Sequence, residues 1–431
     1  MENRRLHFMG IGGAGLSAVA ELAKEAGYEI SGCDLDKNSQ FLKGLLKEKL
    51  NFEEGHDPSH LENIDELILS PAIESLDPKN PELLFAKEKN IPVSIGEEFL
   101  AKKLIGEKKL IAVSGTHGKS TTTAMVAKIL EEAGLDPTVL VGAIVSDWGR
   151  NYRIGKGDYF VLEADEYQDK ILLYSPYLSV ITAIEMDHPE YFSSLDQLKE
   201  SFEQFANSSS DYVVLGENIQ LKLNDEKVKV LKLGQDFQIE KFDLKLIGEF
   251  NQTNASLAFE VAKCLGIDEE VAKKALEKFT GVGRRFEFHG EEKEVKVFDD
   301  YGHHPTAIKA TAEAAREKFP DSKIWLIYQP HMFSRTKYLF DSFVEVFKEI
   351  PVDEIVLVDI FAARQENTEN ISSQHIVNEV KKSNTHYIGS LENTAYYLAK
   401  NVAVGDIVIV MGAGDIYKLS GMLLEKLKNK G

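Results

Sequence analysis

The sequence predicts an α/β protein of three consecutive domains, and three glycine-bearing strand ends predict it. The first is the apolar run Leu6–Met9, which enters Gly10-Ile11-Gly12-Gly13-Ala14-Gly15. The second is Leu110–Val113, which enters Ser114-Gly115-Thr116-His117-Gly118-Lys119-Ser120-Thr121-Thr122. The third is Asp406–Met411, which enters Gly412-Ala413-Gly414-Asp415. Each lies among alternating strand and helix patterns, the signature of doubly wound parallel sheets. The expected division is a Rossmann-like domain over 1–105, a central P-loop, ATPase-type α/β domain over 106–289, and a C-terminal Rossmann-like domain over 290–431.

The length of 431 residues accommodates roughly three domains of ordinary size, and 43% apolar residues supply several cores. The 50 basic and 70 acidic residues leave a net charge of −20. That argues against a general nucleic-acid or anionic-membrane surface, so no nucleic acid and no membrane is expected as partner. Anionic ligands must instead be met by local lysines, arginines, helix ends and Mg²⁺. The two cysteines, Cys33 and Cys264, make no disulfide framework and have no metal-ligand spacing. The opening stretch lacks the apolar run of a signal peptide. No run approaches the ~18–20 apolar residues of a membrane span. A cytoplasmic protein is expected.

In the first domain a small-residue helix (Leu16–Ala26) follows the glycines, and the strand Tyr28–Cys33 ends at Asp34. This is G-x-G-x-x-G with an acidic residue about twenty positions on. Taken alone it reads as an NAD(P) site. Its physical content is wider, because a glycine turn that offers a pyrophosphate to a helix N-terminus serves any nucleotide diphosphate. Strand Glu66–Leu69 ends in Ser70-Pro71-Ala72-Ile73, where open sheets bind ligands. Helix Pro81–Lys89 and strand Ile91–Ser94 follow, and the boundary falls near Lys102–Lys109.

The second domain opens with the phosphate loop. Gly115 and Gly118 permit the tight turn. Lys119 reaches β- and γ-phosphates, and the Ser120 hydroxyl can ligate Mg²⁺. The strict motif requires glycine at position 113, which here is valine, so this is a variant P-loop. Two strand ends beside it carry charge. Tyr159–Leu162 ends in Glu163-Ala164-Asp165-Glu166, and Leu178–Ile184 in Glu185-Met186-Asp187-His188. Glu163 and His188 are the metal candidates. Carboxylate suits Mg²⁺ better than imidazole does, and capping of strands is the plainer alternative for both clusters. Helical patterns follow over Leu195–Asn207, Asn254–Leu265 and Glu269–Phe279. The last ends in Thr280-Gly281-Val282-Gly283-Arg284-Arg285-Phe286, an arginine pair suited to phosphate or carboxylate, or a solvated basic turn.

In the third domain strand Val295–Phe298 ends in Asp299-Asp300-Tyr301-Gly302-His303-His304-Pro305, followed by a helix from Thr306 to Lys318. Strand Lys323–Tyr328 ends in Gln329-Pro330-His331-Met332-Phe333-Ser334-Arg335, and Glu354–Asp359 adds another strand. The histidine pair lacks a third ligand at zinc-finger spacing. Three nucleotide-binding-like domains point to ATP-Mg²⁺ and two partners to be joined. A carboxylate becomes electrophilic once phosphorylated, and an amine then displaces phosphate.

These stretches, in this order, resemble the Mur ligase family over nearly the whole chain. The resemblance implies a UDP-sugar domain, a central ATPase domain and a third domain that closes over ATP and holds the amino acid. It reassigns the first fingerprint from a dinucleotide to a UDP-sugar, with Gly12, Gly13, Ala14, Gly15, Asp34 and Ser70 as its contacts. It assigns ATP to Gly115, Thr116, His117, Gly118, Lys119, Ser120, Thr121, Asn251, Asn254, Arg285 and Asp300. Metal ligation falls to Ser120, Glu163 and His188. The amino acid falls to Tyr301, His303, His304 and Arg335. Catalytic roles fall to Lys119, Glu163, His188, His303 and Arg335.

Within the family the expected acid is UDP-N-acetylmuramate and the expected amine L-alanine, with a monomer or weak homodimer as the working state. Gln329-Pro330-His331 and Phe361-Ala362-Ala363-Arg364-Gln365-Glu366 fit that branch. The sequence departs from the pattern at Ser120, where threonine is common, and at Phe250, where histidine is usual. Tyr167-Gln168-Asp169 resembles the branch that attaches a murein tripeptide during wall recycling, the nearest alternative.

Overall fold

The computed structural model describes residues 4–429 apart from 48, 72, 74–76, 225 and 364. Ala72 and Arg364, in two of the stretches singled out above, therefore lie outside the described residues, as do the first three residues. The chain forms two compact units. One comprises Met1–Ile184, Leu198–Phe242 and Asn254–Phe279; the other comprises Glu185–Gln197, Asp243–Thr253 and Thr280–Gly431.

The first unit holds two sheets. In the N-terminal sheet β1 (Arg5–Met9), β2 (Glu29–Asp34), β3 (Asn51–Glu54), β4 (Glu66–Leu69) and β5 (Val93–Ile95) run in the order β3-β2-β1-β4-β5. All its pairings are parallel. The order reverses at β1, so the crevice at the switch point opens over the C-terminal ends of β1 and β4. The glycine turn lies at the first of these ends and Ser70 at the second. A small-residue helix, Ala14–Glu25, packs closely behind the turn; its Leu16, Ala18, Val19, Ala20 and Ala23 are buried. Helix Pro81–Lys89 begins where proline follows Asn80, whose side chain accepts the Glu82 N–H.

The second sheet orders β6 (Lys109–Ser114), β7 (Thr138–Val145), β8 (Arg150–Arg153), β9 (Tyr159–Glu163), β10 (Leu178–Ile181), β11 (Tyr212–Leu215) and β12 (Lys229–Lys232) as β12-β11-β10-β6-β9-β7-β8. Central β6 lies between β9 and β10, and β8 is the antiparallel edge. Ile111, Ala112 and Val113 have no exposed surface, as a central parallel strand covered on both faces requires. The two sheets of this unit are tied where Asn151 Nδ2 donates to the Ala14 carbonyl at 2.7 Å and the Val141 carbonyl at 3.2 Å.

The second unit holds β13 (Glu287–Glu292), β14 (Val295–Asp300), β15 (Ile324–Tyr328), β16 (Glu354–Val358), β17 (Thr385–Gly389) and β18 (Ile407–Met411), ordered β13-β14-β18-β15-β16-β17. Strand periodicity builds its two cores. Ile324, Leu326, Tyr328, Ile407, Ile409 and Met411 enter one, while Trp325, Ile327, Val408 and Val410 enter the other. Among the described residues no helix is long and apolar enough to cross a membrane.

Candidate active site

The phosphate loop leaves β6 at Ser114 and enters the helix Lys119–Glu132. β10 braces it. Thr182 donates to the Ser114 carbonyl at 3.1 Å and also to the His117 carbonyl, and the Thr116 N–H donates to Ala183 O at 2.9 Å. Gly115 has φ +128°, and a Cβ there would stand 2.3 Å from Thr182 Oγ1. Gly118 caps the helix in the left-handed region and, as a glycine, offers no capping side chain to the first-turn N–H groups. Those groups are what an anion at a helix N-terminus binds.

A Cβ on Gly118 would stand 2.4 Å from Asn254 Oδ1. Asn254 also lies 3.3 Å from the Thr122 hydroxyl, so it packs against the loop from behind. Gly118→Ala is expected to cost at least about 1 kcal/mol from the left-handed backbone alone, with the Asn254 clash in addition. Urea unfolding of the variant checks the loss, and ATP titration checks its effect on the loop.

Lys119 Nζ donates to the Gly115 carbonyl at 2.6 Å and to both Glu166 oxygens, at 3.0 and 2.8 Å. Burial alone would lower the lysine pKa. The carboxylates of Glu166, Asp165 and Glu163 outweigh it and hold the group above its ordinary value, so it is cationic at any working pH. The Ser120 hydroxyl donates to Glu163 Oε1 at 2.9 Å, and the Gly142 N–H donates to Oε2 at 2.5 Å. The Ser120–Glu163 pair places two hard oxygen donors side by side at the phosphate loop, a donor set that fits Mg²⁺.

The glycine turn of the first sheet is held by β2. Gly10 and Ile11 donate to the Cys33 carbonyl at 2.8 and 3.1 Å, and Gly12 N–H donates to Asp34 Oδ2 at 2.7 Å. Gly10 has φ +80°, and a Cβ there would stand 3.1 Å from Ser70 Cβ. Gly12, Asp34 and Ser70 therefore border one turn, with Gly13, Ala14 and Gly15 completing it at the helix entrance.

The second unit gathers a different set. Arg335, on the short helix Phe333–Tyr338, is 3% exposed and donates to Asp187 Oδ1 at 2.6 Å. His303 Nε2 is 3.9 Å from Asp187 Oδ2. His188 Nδ1 lies 3.1 Å from Glu190 Oε1, on a backbone at φ +53°. Burial raises the Asp187 carboxyl, but Arg335, His188 and His303 together hold it well below the usual carboxylate range. Burial and Arg335 push His303 well below its ordinary value, so its imidazole is neutral near pH 7. His304 caps the helix Pro305–Lys318, and Glu185 Oε2 lies 3.4 Å from its Nδ1 and 2.8 Å from the Thr306 hydroxyl. Asp300 accepts N–H bonds from Gly302 at 2.7 Å and Phe286 at 2.9 Å. Arg284 and Arg285 stack on the Tyr301 ring at 5.1 and 5.3 Å. Asn251 Nδ2 donates to the Ile247 carbonyl at 2.7 Å, and Asn254 follows three residues later on the same helix.

Three supporting residues were given no role in the motif reading. Glu166 is the counter-charge of Lys119, Thr182 braces the phosphate loop, and Asp187 anchors Arg335. Each lies at a strand end next to a residue already singled out; knowing that β9, β6 and β10 are neighbours would have drawn the first two in.

Asp299 yields a pH prediction. Burial and its neighbours Asp300 and Glu287 outweigh Arg284, 3.1 Å away, and push its carboxyl up to about 6. A folded value above the unfolded one makes this group's contribution full below about pH 4 and lost as pH rises through 6. The loss is at most about 3 kcal/mol. Urea unfolding of wild type and Asp299→Asn at about pH 4 and pH 7.5 should show the variant gaining relative to wild type at the higher pH. An equal difference at both pH values would mean that Asp299 titrates normally.

This combination of a phosphate loop with a paired lysine and serine, and a second unit rich in arginine, histidine and carboxylate, defines a nucleotide-dependent ligase class. Comparison with known proteins agrees. Three family models match in succession: Mur ligase family, catalytic domain, over 5–107; Mur ligase middle domain, over 113–216; and Mur ligase, glutamate ligase domain, over 284–414. The chain belongs to the Mur ligase family. It is 37% identical to the UDP-N-acetylmuramate–L-alanine ligase of Desulforapulum autotrophicum, over 99% of each chain. It is 35% identical to the enzyme of that name from Acetivibrio thermocellus, over 98% of this chain and 96% of the relative. The crystal structure of the UDP-N-acetylmuramate–alanine ligase from Thermotoga maritima superposes with a TM-score of 0.82 at 26% identity, covering 99% of this chain and 100% of that one. The murein peptide ligase of Psychrobacter arcticus shares the fold, with a TM-score of 0.75 at 22% identity over 99% of both chains.

Proposed function

We propose that this chain joins the amine of L-alanine to the carboxylate of UDP-N-acetylmuramate at the expense of ATP, the first peptide step of peptidoglycan precursor synthesis. The observation that carries this reading is full-length identity of 35–37% to ligases of that name, in a chain whose phosphate loop keeps its lysine and serine paired to carboxylates. A carboxylate oxygen of the sugar acid attacks the γ-phosphorus and ADP leaves, giving an acyl phosphate. The alanine nitrogen then attacks the acyl carbon, inorganic phosphate leaves, and the nitrogen loses a proton.

On this reading residues 1–105 take the UDP-sugar, 106–289 take ATP, and 290–431 serve the amino acid. The first glycine turn, with Asp34 and Ser70, meets the UDP-sugar rather than a dinucleotide. Lys119 and the loop N–H groups bind the phosphates and neutralise their charge as it shifts. Ser120 and Glu163 would hold Mg²⁺, which supplies further positive charge to the phosphates; His188 is assigned as a metal ligand by its motif. Asn251, Asn254, Arg285 and Asp300 are assigned to ATP. Tyr301, His303, His304 and Arg335 are assigned to the amino acid. The enzyme works in the cytoplasm as a monomer or weak homodimer.

The test is phosphate release by the purified chain with ATP, Mg²⁺ and UDP-N-acetylmuramate, comparing L-alanine, glycine, serine and the murein tripeptide as amine. Release that requires both the UDP-sugar and L-alanine is expected. A preference for the tripeptide would mean a recycling ligase. Release that needs neither acid nor amine would sink the ligase reading.

A further inference from the structure

The N-terminal sheet carries a cluster that the ligase reading does not use. His7 on β1, Cys33 on β2, His60 and Glu82 place one donor atom each within 4.8 Å of one another. Three of them are fully or almost fully buried: His7 is 1% exposed, and Cys33 and Glu82 have no exposed surface. His60 Nδ1 lies 2.5 Å from Glu82 Oε1, and Cys33 Sγ lies 3.4 and 3.3 Å from the two Glu82 oxygens.

The decisive atom is His7 Nε2. It is buried and has no hydrogen-bond partner. The other ring nitrogen, Nδ1, is 2.9 Å from Ser31 Oγ, and that hydroxyl donates to the Leu6 carbonyl at 3.4 Å. With the Ser31 proton directed to Leu6, Ser31 accepts from Nδ1–H, and in that tautomer Nε2 is a bare lone pair. That lone pair faces Glu82 Oε2 at 3.9 Å, also an electron-rich atom. Two acceptors aimed at each other in a dry interior are costly unless a cation lies between them. An outer hydrogen bond that fixes the tautomer of a histidine and frees its second nitrogen is also the usual way a ligating imidazole is oriented.

We propose that His7, Cys33, His60 and Glu82 form a closed, four-coordinate structural zinc site inside the N-terminal sheet domain. One thiolate, two imidazoles and one carboxylate are the donor types of tetrahedral Zn²⁺, whose bonds of about 2.0–2.3 Å need donors at separations of this order. The surroundings are prepared for it: the Asp57 N–H donates to Glu82 Oε1 at 2.9 Å, and His56 Nδ1 lies 3.3 Å from Cys33 Sγ. Binding replaces the thiol proton by the metal and releases that proton to solvent. The site is also tied to the glycine turn, because the backbone carbonyl of Cys33 holds the N–H groups of Gly10 and Ile11. A metal on the Cys33 side chain fixes the strand end from which that turn hangs.

The test uses the full chain, stripped with chelator and titrated with Co²⁺ as a spectroscopic probe of the zinc site. One equivalent should produce the near-ultraviolet absorption of a cobalt–thiolate bond, and Zn²⁺ should displace it. Because the chain has two cysteines, assignment is direct: Cys264→Ser should retain the band and Cys33→Ser should lose it. Cobalt bound at the phosphate loop meets no thiol and stays silent in this region. Should Cys33→Ser fail to fold, His60→Gln, altered at the edge of the cluster, should weaken Zn²⁺ by at least about 10-fold in competition with a chromophoric chelator. Absence of the band in wild type, a band that follows Cys264, or unchanged zinc affinity in His60→Gln would each overturn the site.

Discussion

Lys119→Ala is expected to lower phosphate release by at least about 1,000-fold, to the floor of the assay, because one positive donor at the transferring phosphoryl group is lost. The structure gives this lysine no freedom to be replaced by a neighbour. Its ammonium is fixed between the Gly115 carbonyl and both oxygens of Glu166. The same pairing predicts a second effect. Glu166 has no exposed surface, so removing the lysine takes the counter-charge from beside a buried carboxylate, at a cost of about 3 kcal/mol. Lost activity alone would therefore be ambiguous. Lys119→Ala combined with Glu166→Gln separates the two effects: urea unfolding should recover much of the stability, while phosphate release stays at the floor. Wild-type release by a folded Lys119→Ala chain would remove the ATP-binding assignment of this loop.

Elements with strong local signals were readable to the residue. Helix Pro81–Lys89 begins on an Asn-Pro pair whose asparagine does cap it, and Leu195–Asn207 follows the spacing of its buried Leu198, Phe202 and Phe205. Strand ends were less sharp: the Leu178–Ile184 run stops as a strand at Ile181, while β14 continues past Phe298 through Asp299 and Asp300, because pairing with a neighbouring strand sets the end. Nothing comparable marks β13. Glu287–Glu292 is charged and largely exposed, and it is a strand because β14 offers it an edge. The antiparallel edge β8 is likewise short and polar, set by its pairing with β7.

The candidate sites divide along the same line. The phosphate loop is local, eight residues of one turn, and its chemistry stands in the sequence. The partners that hold it are not local: Glu166 is 47 positions from Lys119, and Thr182 is 65 from His117. The zinc cluster is the extreme case. Its donors come from four separate elements between positions 7 and 82, so no ligand spacing exists for a motif to capture. The absence of metal-ligand spacing between Cys33 and Cys264 had no bearing on a site assembled by sheet order.

Arg335→Ala should be the most damaging change in the second unit, abolishing ligation and costing about 3–5 kcal/mol of its stability. The guanidinium is 3% exposed and its partner Asp187 5% exposed, joined by a 2.6 Å charge-assisted hydrogen bond. Solvent cannot replace either group in place. Truncation leaves the Asp187 carboxylate with the His188 N–H at 2.7 Å and the rings of His188 and His303 at 3.9 Å each. His303 and His331, both held below their ordinary values by burial and by Arg335, would become easier to protonate once the arginine is gone. Nuclear magnetic resonance titration of the histidine ring protons reads this directly: the rings of His303 and His331 should titrate at higher pH in the variant than in wild type. Arg335→Lys restores the charge without the planar fork. It should therefore recover most of the stability and little of the activity. If the lysine variant ligates at the wild-type rate, Arg335 contributes only charge balance to Asp187, and its assignment to the amino acid fails.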